Sequence, residues 1–156
     1  MSSFRLLSCL ALFCAAAWLR AGDPEWRTTE RSAAPRFAVF DVFIDSGDRP
    51  LAAWQLYLRA TRGRVKLVGV EGGGHAAFRK PPHYDPKALQ GDRIRLAAFS
   101  TNVPASLPAG EQRVASLHVQ ITARTELVWT NKVEAAADAA GKSIPIAVTI
   151  KERPPK

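Results

Sequence analysis

The chain has 156 residues, 47% of them hydrophobic, and a formal charge of +8. That length and apolar content suit one domain with its own core and exclude a chain that stays unfolded throughout. The 22 basic residues are spread with no run of five or more, which reads as a solvated surface and not as a nucleic-acid-binding tract.

The first 22 residues read as a secretory signal peptide. Met1-Ser-Ser-Phe-Arg5 is a short basic start, residues 6–19 are an apolar run of 14, and small residues follow at Ala15, Ala17 and Ala21. The run is short for a membrane span, so no span is expected after cleavage, which would follow Ala17 or Ala21. Retention as an N-terminal anchor is the rival reading. Without the leader the chain keeps 20 Lys/Arg against 14 Asp/Glu, a balance of +6. Both cysteines, Cys9 and Cys14, lie in the apolar run, so the mature chain has no disulfide framework, thiolate nucleophile or cysteine metal site. Residues 23–35 are polar and aperiodic and read as a disordered linker carrying a single tryptophan, Trp26.

From residue 36 to 152 the pattern is of short strands separated by turn residues. In 37–44, Ala38, Phe40, Val42 and Ile44 share one face, while Phe37, Val39, Asp41 and Phe43 share the other, which is only partly polar. Ser46-Gly-Asp-Arg-Pro50 is a turn. A second alternating run follows, with Trp54, Leu56 and Leu58 on its apolar face and Gln55, Tyr57 and Arg59 opposite. The two runs and their turn read as the first hairpin, with Trp54 in the core and Tyr57 outside. A third strand covers 65–70. Residues 71–92 form a long irregular segment with four of the ten glycines, where function is most expected. Further strands are expected at 93–100, 113–123, 126–135 (carrying Trp129) and 144–150. Pro145 cannot donate to a ladder, so the last strand begins there or lies at an edge. The alanines of 133–140 permit one helical turn. Residues 153–156 are a tail.

No catalytic constellation emerges. His75, His83 and His118 lack metal-ligand spacing, and no cofactor or metal is expected. Asp41, Asp45, Asp48 and Glu71 offer oxygens suited to calcium, but Asp45 and Asp48 bracket a turn in the manner of ordinary amide-capping residues. Gly141-Lys-Ser143 lacks the first glycine of a phosphate loop and lies between strands. No Gly-x-Ser-x-Gly is present, and no pair of carboxylates is singled out for glycoside hydrolysis. The candidate ligand-binding residues are Tyr57, His83, Tyr84 and Trp129, on the argument that flat rings with polar edges stack on sugar faces.

The order of motifs resembles a cohesin-like domain of the carbohydrate-binding-module-like β-sandwich superfamily. The resemblance spans residues 37–150. It rests on Leu51-Ala-Ala-Trp-Gln-Leu-Tyr-Leu, Val65-Lys-Leu-Val-Gly-Val-Glu-Gly-Gly, Arg93-Ile-Arg-Leu-Ala-Ala-Phe-Ser and Leu107-Pro-Ala-Gly-Glu-Gln-Arg-Val-Ala-Ser-Leu-His-Val. Arg59-Ala-Thr-Arg62 stands where the family often has Tyr-Asp-Pro. The resemblance implies an all-β fold, a single antiparallel sandwich of jelly-roll-like topology. It also implies non-catalytic binding, to an extracellular or envelope protein partner or to a polysaccharide, in a polysaccharide-processing context. Secretion or residence in the periplasm or cell envelope is expected, with no nucleic-acid partner. A small secreted hydrolase is the remaining alternative, and the oligomeric state is open.

Overall fold

The computed structural model describes residues 34–122 and 126–155; the leader and most of the linker lie outside them. Seven strands carry the fold: β1 (Arg36–Asp45), β2 (Ala53–Arg62), β3 (Val65–Gly72), β4 (Arg93–Phe99), β5 (Glu111–Ile121), β6 (Val128–Ala137) and β7 (Ala147–Glu152). They form a four-stranded sheet in the order β3-β5-β1-β7 and a three-stranded sheet in the order β4-β2-β6. All pairings are antiparallel. The chain is therefore all-β, and each successive strand lies in the sheet opposite to its predecessor.

That alternation corrects the expected first hairpin. β1 and β2 do not pair; they lie in different sheets and share one core cluster through Phe40, Val42 and Ile44 on one side and Trp54, Leu56 and Leu58 on the other. The turn chemistry between them was legible: Gly47 N donates to Asp45 Oδ1 at 2.9 Å and the Ser46 hydroxyl to the Arg49 carbonyl at 2.8 Å. The turn steers the chain across the sandwich because the next residues are apolar and go inward, with Leu51 and Ala52 buried. Their amides bond elsewhere, Leu51 N to Pro108 O at 2.8 Å and Ala52 N to Ala137 O at 2.9 Å. A connection with those partners closes the end of the core instead of folding β2 back beside β1.

The period-two faces hold in β1 from Phe40 to Ile44 and in β2 from Trp54 to Ala60, and Trp54 is buried as expected. One irregularity reshapes the outer face of the four-stranded sheet. Opposite Val42 and Phe43 the register slips, so that Val114 is an extra residue in β5. Val114 to Leu117 are then four consecutive buried residues, and Ser116 is buried on the outward side. The alanine-rich stretch is strand up to Ala137, followed by a turn in which the Asp138 carboxylate accepts from Ala140 N and Lys142 N. β7 begins after Pro145, at the edge of its sheet.

The long segment before β4 closes the side of the sandwich between β3 and β4. Phe78 is buried and meets Trp54 edge to face, with ring centroids 6.2 Å apart. His83 exchanges two backbone hydrogen bonds with Ala97 of β4, while Leu67 of β3 donates to Gly91 O and accepts from Gln90 N. One edge of each sheet, β3 and β4, is thus paired by one piece of chain. Two 3-10 turns, Ala76–Phe78 and Pro86–Ala88, are capped by the His75 imidazole and the Asp85 carboxylate.

Candidate functional site

The outward face of β1 carries Phe37, Val39, Asp41 and Phe43, an arrangement with one charge among apolar groups. The register sets Ser116 of β5 directly opposite Asp41. After β7 the chain continues the ladder, Arg153 N donating to Val39 O at 2.8 Å. Its side chain then reaches back to Asp41, with Nε 3.0 Å from Oδ2 and Nη2 2.6 Å from Oδ1. The Ser116 hydroxyl donates to Asp41 Oδ1 at 2.7 Å and accepts from both Arg153 and Arg113. Arg113 also holds the Gly72 carbonyl at 3.1 Å, tying β3 to the network.

Burial pushes the Asp41 carboxyl up. The hydrogen bonds from Arg153 and Ser116, with the charges of Arg153 and Arg113, outweigh it and hold Asp41 below its ordinary value. A carboxylate so held stays ionised and accepts; it is no proton donor near neutral pH. Its structural consequence is to fasten residue 153 to the sheet, which sets Pro154 and Pro155 beside the start of β1.

There they wall an apolar recess of about 550 Å³, whose other lining residues include Phe37, Val39, Val68 and His118. Phe37 is 71% exposed at its edge. His118 Nε2 lies 3.0 Å from Glu71 Oε1, at ion-pair distance without hydrogen-bond alignment. The rim is closed by Arg36 and Glu152, paired at 2.6 Å.

The residues expected from sequence lie elsewhere. Tyr57 is half-buried on the outer face of the three-stranded sheet, with the Arg95 guanidinium 5.7 Å over its ring. Arg95 and Gln55 both bond Glu134, and these bonds, the Arg95 bond foremost, hold the Glu134 carboxyl at about 2. His83 is exposed beside β4, and Tyr84 packs partly on the core. Trp129 stands opposite Ala60 on the inward side of β6 and tilts against Phe40 at 5.7 Å between centroids. Only His83 and Tyr84 are neighbours; the three rings share no platform. Sequence reasoning missed Arg113, Ser116, Arg153, Val68 and the two terminal prolines. The one local signal for them was Asp41 on an otherwise apolar face.

Among the described residues no three His, Cys, Asp or Glu side chains gather as metal ligands. No helix among them is long and apolar enough to cross a membrane. Fold and face define the chain as an all-β, two-sheet protein with a charge-locked outer sheet face. No protein-family model, curated protein or solved structure matches it.

Proposed function

We propose that the chain is a secreted or cell-envelope binding module without catalytic activity, cohesin-like in topology, that holds an extracellular protein partner on the outer face of its four-stranded sheet. The observation that carries this reading is Phe37, largely exposed at the lip of an apolar recess on a face that hydrogen bonds and ion pairs keep rigid. The regular crossing from sheet to sheet supports a jelly-roll-like topology. The fastening of Asp41 by two arginines favours a scaffold role for that carboxylate over acid–base chemistry. A polysaccharide bound by ring stacking is less favoured, since Tyr57, Tyr84 and Trp129 lie on separate surfaces.

The test is capture from the envelope fraction of the source organism by wild-type chain, by Phe37→Ser and by Tyr57→Ala, beside binding to a panel of neutral glycans. A partner retained by wild type and Tyr57→Ala should bind Phe37→Ser about 30-fold more weakly, as loss of a central aromatic contact does. Capture indifferent to Phe37→Ser, or glycan binding lost in Tyr57→Ala, rejects the protein-partner reading.

A further inference from the structure

The strands end at two poles, and the sequence's scattered cations are not scattered in space. At the pole where β2 ends and β3 and β4 begin lie Arg59, Arg62, Arg64, Lys66 and Arg93. Arg59 and Arg93 are directly opposite each other in the β2–β4 register, a like-charge pairing that disfavours the sheet unless it is compensated. Asp92 lies between them, 3.8 Å from Arg59 and 3.4 Å from Arg93. Arg62, Arg64 and Lys66 have no acidic group at ion-pair distance among the described residues. The turn that carries them is fixed, Thr122 N donating to Arg64 O at 2.9 Å. Asp45, Asp48, Glu111 and Asp138 belong to the opposite pole; at the cationic pole Glu152 is taken up by Arg36, and Glu126, just before β6, is not at ion-pair distance of any of the five.

We propose that this pole binds a linear acidic polysaccharide bearing carboxylate or sulfate groups; through Lys66, opposite Gln120 and so in one register row with Phe37, the surface borders the face around Phe37, while the four arginines lie beyond it. Asp92 is at ion-pair distance of Arg59 and Arg93 alone, so the other three cations repel one another with no partner among the described residues, and a polyanion is the complement they lack. Their placement selects the kind of polyanion. Arg59 and Arg93 face outward from one sheet, Lys66 from the other, and Arg62 and Arg64 sit on the tip between. A flexible polymer can follow cations that wrap an end, whereas a planar bilayer meets the tip alone. Single-stranded nucleic acid binds through rings that stack its bases, and the ring nearest in sequence, Tyr57, lies under Arg95. Four of the five cations are arginines, whose planar fork pairs bidentately with carboxylate and sulfate.

The experiment measures binding of the full chain to immobilised dextran sulfate and polygalacturonate, with neutral dextran as reference. Wild type should bind both polyanions, with affinity falling steeply as salt is raised. The triple variant Arg62→Glu/Arg64→Glu/Lys66→Glu should lose about 30-fold or more in affinity. A control of equal charge change at the opposite pole, Arg49→Glu/Lys80→Glu/Lys142→Glu, should stay within about 3-fold of wild type. All six positions are exposed, and equal urea midpoints show that folding is not the variable. Equal loss in the two variants overturns the proposal by reducing it to net charge. So does tip-dependent binding that is stronger to single-stranded DNA or to phosphatidylglycerol vesicles than to either polymer.

Discussion

Asp41 sits where strand alternation points to solvent, yet only 13% of its side chain is exposed. A lone carboxylate covered this way disfavours folding, and here two guanidiniums and a hydroxyl satisfy it. Asp41→Asn removes the charge while keeping the shape, leaving Arg113 and Arg153 facing each other without it. The loss should be about 2–4 kcal/mol at pH 7, read from urea unfolding. The pH dependence has a definite sign. The folded Asp41 is more acidic than its ordinary value of 3.8, so the stability it contributes is complete above that value and disappears as pH falls through the lower folded one. Glu134, held at about 2, acts in the same direction. Acid unfolding below pH 4 should therefore be shallower in Asp41→Asn than in wild type but not flat. Equal acid limbs in the two proteins would show that Asp41 does not carry the pH dependence. Ser116→Ala should lose about 1–2 kcal/mol, since the hydroxyl joins both arginines to the carboxylate. None of these partners was legible around Asp41: Arg153 lies at the far end of the chain, and the bulge at Val114 hides the parity of Ser116.

At the scale of elements, strand positions were legible where a strand buries alternate residues, as β1, β2 and β4 do, since period two marks them directly. Which strand neighbours which was not. The turn at Ser46–Arg49 fits a hairpin as well as a crossing; what decides is that Leu51 and Ala52 enter the core and their amides bond to residues 108 and 137. The segment after β3 was expected to hold function because of its glycines. Two of those glycines answer to packing: a β-carbon on Gly72 would strike the Arg79 carbonyl, and one on Gly73 the Arg113 carbonyl. A β-carbon on Gly74 meets only the Arg113 guanidinium, at 3.9 Å. Gly72→Ala and Gly73→Ala should each destabilise by about 2–3 kcal/mol through overpacking, and Gly74→Ala should stay within about 0.5 kcal/mol of wild type. Thermal melts of the three variants decide it. Three similar values would mean that the segment does not press on β5.

For the whole molecule, the alternation of sheets has a kinetic consequence. Among the described residues no two strands adjacent in sequence pair with each other, and β1 finds its neighbours in β5 and β7. Arg36 opposes Ile121, and Asp45 opposes Ala147, so the central ladder closes only when distant parts of the chain meet. Loop-closure entropy is lost before such contacts can form, which places folding in the slow, high-contact-order class. A hairpin between β1 and β2 would have supplied a local nucleus; its absence removes that route. Refolding after a urea jump, followed by stopped-flow fluorescence, should take from about ten milliseconds to seconds. Trp54 is the natural reporter, being buried against Phe78 only once the segment after β3 has closed. Phe78→Leu removes the ring contact with little change in burial and should speed unfolding more than it slows folding, because that closure follows the meeting of the sheets. A sub-millisecond main phase, or a folding rate that drops as much as stability does in Phe78→Leu, would mean that local structure around β2 and β3 forms first.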